Sequence, residues 1–166
     1  PLARLGYKII HKDSPDKRGI DVALLYRKEI FRPIETKFYP LFSDTSKNDT
    51  LKTRLILYTK GIVNNLDTLH VLVNHWPSKM GGDKASLPKR MIASNTLKKI
   101  TDSILLDNTN ANIILMGDFN DTPDSEQCVI MEDMLVNEGT RLHKDGRGTI
   151  RYKGRWELID FFMRTP

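Results

Sequence analysis

The chain has 166 residues, which is enough for one domain with a real core and too few for two ordinary domains. Hydrophobic residues make up 39% of it, a share that argues against disorder. The formal net charge of +5 favours an anionic partner, although many soluble proteins carry a similar surplus. The single cysteine, Cys128, excludes an internal disulfide framework and a cysteine-based metal cluster.

No apolar run approaches the roughly 18 residues that a membrane-spanning helix needs, so the sequence predicts a soluble protein without a membrane span. No stretch resembles a signal peptide, and the compartment stays open between cytoplasm, periplasm and exterior. The chain begins at Pro1, without a methionine, and opens in mid-domain. We therefore expect an upstream segment, and we expect the protein to be a monomer.

The first half of the chain is typical of strands joined by turns. Strands are predicted at residues 6–11, 20–26, 30–38, 53–63 and 68–75. Pro33 indicates a sheet edge or a bulge in the third of them. The polar residues 41–50 predict a mobile loop, and residues 64–67 predict a hairpin turn. Arg18 follows a turn at residues 14–16 and is expected to be exposed.

The second half begins with a glycine-rich loop at residues 78–84 and a long helix that ends near Asn108. Ser86 is expected to cap this helix, with Pro88 in its first turn. The spacing of apolar residues predicts a buried face formed by Ala93, Leu97, Ile100 and Ile104. The solvent face is assigned to the basic residues Lys89, Arg90, Lys98 and Lys99.

The segments after this helix complete an α/β pattern. The predicted order is a central strand, a helix at residues 126–135, a loop at residues 139–148, and a hairpin of residues 149–152 and 156–163.

The most informative stretch is NIILMGDFNDTP, at residues 112–123. Its apolar run predicts a strand that is buried on both faces and ends at Gly117. Asp118 and Asn120 follow, two residues apart, so on an extended backbone their side chains point the same way. Such a pair can position a water and a phosphate oxygen together, although Asp and Asn also form ordinary turns.

Two further motifs accompany that pair. His75 ends a predicted strand in the sequence NHWPS, where a capped or core histidine is the alternative interpretation. Asp160 lies within ELIDFF, where it could pair with Arg155 or Arg164 instead of serving a site. His11, His70 and His143 have no supporting pattern and are interpreted as surface or packing residues.

These three motifs together suit phosphodiester hydrolysis. A carboxylate can orient and deprotonate water, while histidine or asparagine can stabilise charge on phosphoryl oxygens. A divalent metal held by oxygen ligands neutralises the phosphate. A basic cluster at residues 141–155 either supports an extended anion or forms a solvated face.

In these motifs the chain resembles the endonuclease/exonuclease/phosphatase superfamily, whose most specific signature is GDFND with a following proline. GIDVALLYR, HVLVNHWPS and ELIDFF resemble other strands of the superfamily, in the right order from Gly6 to Met163. The likeness is strongest to bacterial members in which NHWPS, a Gly-Gly loop and a PKR-led helix follow one another.

The resemblance implies a four-layer α/β sandwich of two packed mixed β-sheets flanked by helices. It also implies a magnesium- or manganese-dependent hydrolase of phosphate esters, and a phosphodiester such as nucleic acid is the favoured substrate. Asp118 would orient the attacking water, Asn120 would hold a phosphate oxygen, and His75 would contact the phosphate. Asp160 would be the catalytic acid of the superfamily's closing Asp-His pair and would bind the metal. Arg18, Asn74 and Arg155 are expected to bind the substrate phosphate.

Two departures from the superfamily pattern affect this expectation. Phe161 stands where the closing histidine would fall, and a phenyl ring cannot handle a proton. The metal-binding Glu of the superfamily lies before the matched region, so residues 1–166 are expected to be the C-terminal two-thirds of one domain, without its N-terminal strands and with exposed apolar edges. The alternatives are a catalytically incomplete phosphate- or protein-binding module and a purely structural domain.

Overall fold

The fold is described by a computed structural model that covers residues 2–44, 46, 48–79 and 81–166. Its strands are Tyr7–His11 (β1), Ala23–Arg27 (β2), Phe31–Tyr39 (β3), Phe42–Asp44 (β4), Asp49–Thr50 (β5), Ile56–Val63 (β6), Asp67–His75 (β7), Asn112–Asp118 (β8), Val136–Asn137 (β9), Ile150–Tyr152 (β10), Arg155–Glu157 (β11) and Asp160–Arg164 (β12). Its α-helices are Asp83–Asp107 (α1), Glu126–Val129 (α2) and Thr140–Lys144 (α3), and a 3-10 turn spans Leu2–Leu5.

The largest sheet has six strands in the order β3-β6-β7-β8-β12-β9. Strands β7 and β8 run parallel, with α1 as the crossover between them, and the other neighbours are antiparallel. The other described strands form three two-stranded sheets, β1–β2, β4–β5 and β10–β11. A mixed sheet with a helical crossover confirms the predicted α/β class.

The main core lies between α1 and one face of this sheet. Leu72, Leu115 and Met163 are cross-strand neighbours on β7, β8 and β12, and none of the three is exposed. They belong to the same cluster as Ala93 and Leu97 of α1, which are also completely buried. Ile100 and Ile104 pack partly buried against it, so the predicted helix face is confirmed.

The opposite face of the sheet becomes more exposed from β6 to β12. Leu57, Val73, Met116 and Phe162 are successive cross-strand partners along one row. Leu57 is completely buried, the next two are half-buried, and Phe162 is 54% exposed. The expectation that β8 is buried on both faces is therefore wrong for its second face. The expectation of exposed apolar edges where upstream strands belong stays a prediction.

Several local predictions are confirmed. Strand β3 is an edge strand, and its register with β6 shifts between Pro33 and Glu35, as a bulge requires. Asn64 and Asn65 have φ of 51° and 58° and form the hairpin turn between β6 and β7.

Other boundaries differ from the predictions. Residues 41–50 contain the β4–β5 pair rather than only a loop, and Thr45 and Lys47 lie outside the described residues. Helix α2 ends at Val129 and is followed by turns, whereas the sequence predicts a helix to residue 135. Helix α3 lies in the predicted loop 139–148. The predicted closing strand at 156–163 divides into β11 of the small hairpin and β12 of the main sheet.

Helix α1 begins earlier than expected, at Asp83 after the N-cap residue Gly82. Ser86 is therefore not the cap, and its hydroxyl donates to the carbonyl of Gly82 at 3.0 Å. Pro88 lies in the second turn, and Met80 of the preceding loop is outside the described residues. Although α1 has 25 residues, neither it nor any shorter described helix is apolar enough to cross a membrane.

Gly117 sets how closely β7 and β8 approach at the end of the sheet. Its φ is +135°, and a Cβ atom there would lie 1.9 Å from the carbonyl oxygen of Asn74. We expect Gly117→Ala to lower the free energy of unfolding by about 3 kcal/mol or more, because backbone atoms must move apart.

Gly146→Ala is the matched control for this measurement, because Gly146 has φ of +73° but no atom within 4 Å of the added methyl group. Its cost should be limited to about 1 kcal/mol of backbone strain. Urea unfolding of the two variants measures both values, and equal losses would contradict the close-packing argument.

Candidate functional site

Three polar residues lie side by side at one end of the main sheet. His75 on β7 is the register partner of Asp118 on β8, and Asp118 is the register partner of Asp160 on β12. Neighbouring strands are about 4.8 Å apart, so the three Cα atoms span about 10 Å. The structure thus brings the histidine and both predicted acids into one row, called here the His75–Asp118–Asp160 row.

The loop after β8 holds Asp118 in a fixed orientation. Its Oδ1 accepts a hydrogen bond from the backbone N–H of Asn120 at 2.7 Å, a contact made possible by the left-handed φ of +48° at Asn120. The Asn120 side chain donates from Nδ2 to the carbonyl of Trp76 at 2.9 Å. Trp76 in turn donates its backbone N–H to the carbonyl of Asp118 at 2.8 Å, so the ends of β7 and β8 are locked together.

The surroundings of Asp118 raise its pKa above the ordinary value. Burial is the largest cause, and the negative charge of Asp160 acts in the same direction. The hydrogen bond from Asn120 and the positive charge of Arg54 lower the pKa without cancelling those effects. A carboxylate with a raised pKa is a stronger base.

Burial is the largest cause that lowers the pKa of His75 to about 4, and the charges of Arg54 and Arg18 contribute to this shift against the opposing charge of Asp160. At neutral pH the imidazole is therefore neutral, and the 3.5 Å contact between its Nε2 and Oδ2 of Asp118 is not an ion pair. A histidine in the unfolded chain titrates near pH 6.5, so the unfolded state takes up a proton that folded His75 does not yet bind. The free energy of unfolding therefore decreases as the pH falls from about 6.5 towards 4.

A buried ion pair that the sequence analysis missed supports the end of β7. Arg54 and Asp16 have side chains only 3% and 4% exposed, and they are joined at 3.0 Å. Arg54 also donates to the carbonyls of His75, at 3.1 Å, and Trp76. Removing one member of such a pair leaves a buried charge, which costs about 3–5 kcal/mol.

Arg18 extends this pair towards solvent. Its guanidinium bonds both oxygens of Asp16, at 3.1 and 3.2 Å, while half of its side chain is exposed. Its charge lowers the pKa of His75, so it lies within electrostatic range of the row.

A second buried network ties the loop after β8 to α1. Asp121 is 5% exposed and accepts from Nε of Arg90 at 2.9 Å, while Nζ of Lys79 lies 2.9 Å from its other oxygen. Arg90 also donates to the hydroxyl of Ser86 at 2.7 Å and to Asp83. The assignment of Arg90 to the solvent face is wrong, because it lies on the buried stripe of α1 and Asp121 compensates its charge.

Phe161 lies on the opposite face of β12 from Asp160. It is 5% exposed and stacks on Phe119, with ring centroids 4.1 Å apart and planes at 12°. Phe119 contacts Trp76 edge to face at 5.1 Å. An apolar aromatic cluster therefore occupies the position at which the resemblance implied a histidine.

Asn74 does not reach the surface of the site. It is 1% exposed, and its Nδ2 donates to the carbonyl of Met116 at 2.6 Å, so its predicted phosphate contact is not possible in this arrangement. Arg155, the other predicted phosphate ligand, is exposed at the start of β11, next to the hairpin turn.

The side chains of the row are compatible with a hard divalent cation. Asp118 and Asp160 are adjacent carboxylates, and the charge of Asp160 disfavours the ionised form of Asp118. A cation beside them would relieve this repulsion, and carboxylate oxygens are the ligands that Mg²⁺ and Mn²⁺ prefer. Within the described ranges, three ligand atoms of His, Cys, Asp or Glu lie within 4.8 Å of one another only in a partly exposed group elsewhere, formed by His11, Asp13 and Asp21.

The chain belongs to the Endonuclease/Exonuclease/phosphatase family, whose model matches residues 1–164. Among curated protein sequences, none matches this chain.

Solved structures of low sequence identity share the fold. The human Nocturnin catalytic domain with bound sulfate has a TM-score of 0.75 and 17% identity, covering 99% of this chain and 62% of that one. Truncated Caenorhabditis elegans TDP2 has a TM-score of 0.72 and 13% identity, covering 99% and 63%. A family protein from Bacteroides thetaiotaomicron has a TM-score of 0.67 and 16% identity, also covering 99% and 63%. The chain thus spans less than two thirds of the length of these relatives.

The electrostatic coupling within the row can be measured directly. In Asp160→Asn, we expect the pKa values of His75 and Asp118 both to fall, because the lost negative charge had favoured protonation of each. NMR titration of the imidazole and carboxyl signals measures both. Asp133→Asn, at a carboxylate that contacts Lys98 instead, is the control. A His75 pKa unchanged by Asp160→Asn would contradict their proximity.

Proposed function

We propose that the protein is a divalent-metal-dependent hydrolase of phosphate esters and that its substrate is a phosphodiester such as a nucleic acid. The observation that supports this most is the His75–Asp118–Asp160 row, which combines a base, a neutral hydrogen-bond donor and a potential metal ligand within three neighbouring strands. Membership of the family agrees with this chemistry.

In this proposal, Asp118 orients and deprotonates the attacking water. One of its oxygens is held by the N–H of Asn120, which fixes the direction in which the other can accept a proton. Burial and the charge of Asp160 raise its pKa, so the ionised carboxylate takes up a proton more readily than an exposed aspartate would.

His75 and Asn120 would bind the phosphate oxygens. His75 is neutral at pH 7 and can donate one N–H without adding a full positive charge. The Asn120 amide has two N–H groups, so one can hold Trp76 while the other donates to the substrate.

Asp160 would hold Mg²⁺ or Mn²⁺, as enzymes of this family generally use divalent metals. A bound divalent ion supplies positive charge that neutralises the phosphate ester. The exposed cations Arg18 and Arg155 would attract the substrate. The sulfate in the Nocturnin structure supports the proposal that this fold accepts a tetrahedral anion.

A catalytically incomplete phosphate- or protein-binding module of the same fold is the second candidate. The buried Phe161–Phe119 stack favours it, because position 161 offers no group that titrates or donates a hydrogen bond. The choice between a hydrolase and a binding module also depends on the metal-binding Glu that the resemblance places upstream. Metal titration separates the two functions, since a binding module would show no metal-dependent hydrolysis of bis(4-nitrophenyl) phosphate.

In the complete protein, Asp118→Asn and His75→Ala should each lower kcat/KM for a phosphodiester by about 100-fold or more, because each removes an acid-base or electrostatic group. The measurement is hydrolysis of bis(4-nitrophenyl) phosphate and of an oligonucleotide, with Mg²⁺, with Mn²⁺ and with chelator.

Asp102→Asn provides the matched control, because it removes a carboxylate that pairs with Lys98 on the surface of α1. It should leave kcat/KM within about twofold. Metal-dependent turnover that survives Asp118→Asn would reject the assignment of Asp118, and turnover unaffected by chelator would reject metal dependence.

A further inference from the structure

A groove of about 630 Å³ is lined by Ile159, which immediately precedes Asp160 of the His75–Asp118–Asp160 row in the chain. Asn120 lines it, so the groove and the proposed phosphate site share a residue. One wall is the glycine-rich loop with Lys79, Gly81 and Gly82, and the other is the β10–β11 hairpin with Ile150 and Tyr152. A substrate bound at the row can therefore extend into the groove without leaving the surface.

The two faces of the hairpin differ in their relation to the groove. Ile150, Tyr152 and Glu157 line it. Arg151 and Trp156 are register partners that alternate with those residues along β10 and β11, so they lie on the other face. Tyr152 and Trp156 are almost equally exposed, at 54% and 56%. Each face of the hairpin therefore carries one exposed aromatic side chain.

The groove places an aromatic ring among charged side chains of both signs, since Lys79 and Lys153 line it together with Asp83 and Glu157. Nζ of Lys153 lies 5.3 Å from the centroid of the Tyr152 ring. Lys79 is on the facing wall, where it pairs with Asp121. A flat aromatic ring beside cations and adjacent to a phosphate site suits a nucleobase, because every base presents a π-face that can stack irrespective of sequence.

We propose that this groove binds the nucleobase of the nucleotide unit whose phosphate lies at the row, and that Tyr152 is the surface on which the base stacks. The proposal rests on the proposed function only in taking the row as the phosphate site. It names a nucleotide as the substrate class and the β10–β11 hairpin as the element that recognises it. Ile150 and Ile159 would supply the apolar surroundings of the base.

Binding of AMP and of ribose 5-phosphate tests the proposal, because the two ligands differ only by the base. Calorimetric titration in the presence of chelator avoids turnover. Base stacking should make AMP bind about tenfold more tightly than ribose 5-phosphate. Tyr152→Ala should remove that difference by weakening AMP alone, while Tyr152→Phe should retain it because the ring remains.

Trp156→Ala is the matched control, since it deletes an equally exposed aromatic side chain from the other face of the same hairpin. It should leave the preference for AMP within about twofold. Equal or undetectable binding of the two ligands would overturn the proposal, as would equal effects of Tyr152→Ala and Trp156→Ala. Failure of the proposed hydrolysis would leave the AMP preference intact, so the two failures are distinguishable.

Discussion

The parallel pairing of β7 with β8 is the constraint on which the rest of the site depends. It sets His75 opposite Asp118, and the antiparallel partner β12 then sets Asp160 opposite Asp118 on the far side. One residue before, Gly117 lies so close to the backbone of Asn74 that no side chain fits. A change of one residue in the register between β7 and β8 would place His75 and Asp118 on opposite faces of the sheet.

Two buried ion pairs maintain this arrangement. Arg54 and Asp16 hold the carbonyls at the end of β7, and Arg90 and Asp121 hold the loop after β8 on α1. Both are nearly completely removed from water, so each charge depends on its partner. The same strand ends thus combine a rigid framework with the half-exposed side chains of His75 and Asp118 that a substrate can reach.

The sequence predicted the α/β class and the polar row well, because apolar runs that stop at GDFN and NHWPS indicate strand ends. It did not reveal the burial of Arg90 and Arg54, since their partners Asp121 and Asp16 are 31 and 38 residues away. The inward direction of Asn74 could have been predicted, because it alternates with His75 along β7. The aromatic groove depends on tertiary placement of a short hairpin, which no local pattern specifies.

Localised binding of a divalent cation tests the central claim most directly. In an NMR titration with substoichiometric Mn²⁺, we expect paramagnetic broadening to remove the backbone amide signals of Asp118, Asp160 and His75 first. The alternative location is the partly exposed group of His11, Asp13 and Asp21, which holds three potential ligand atoms close together. Broadening confined to that group, with the signals of the row unchanged, would contradict the account.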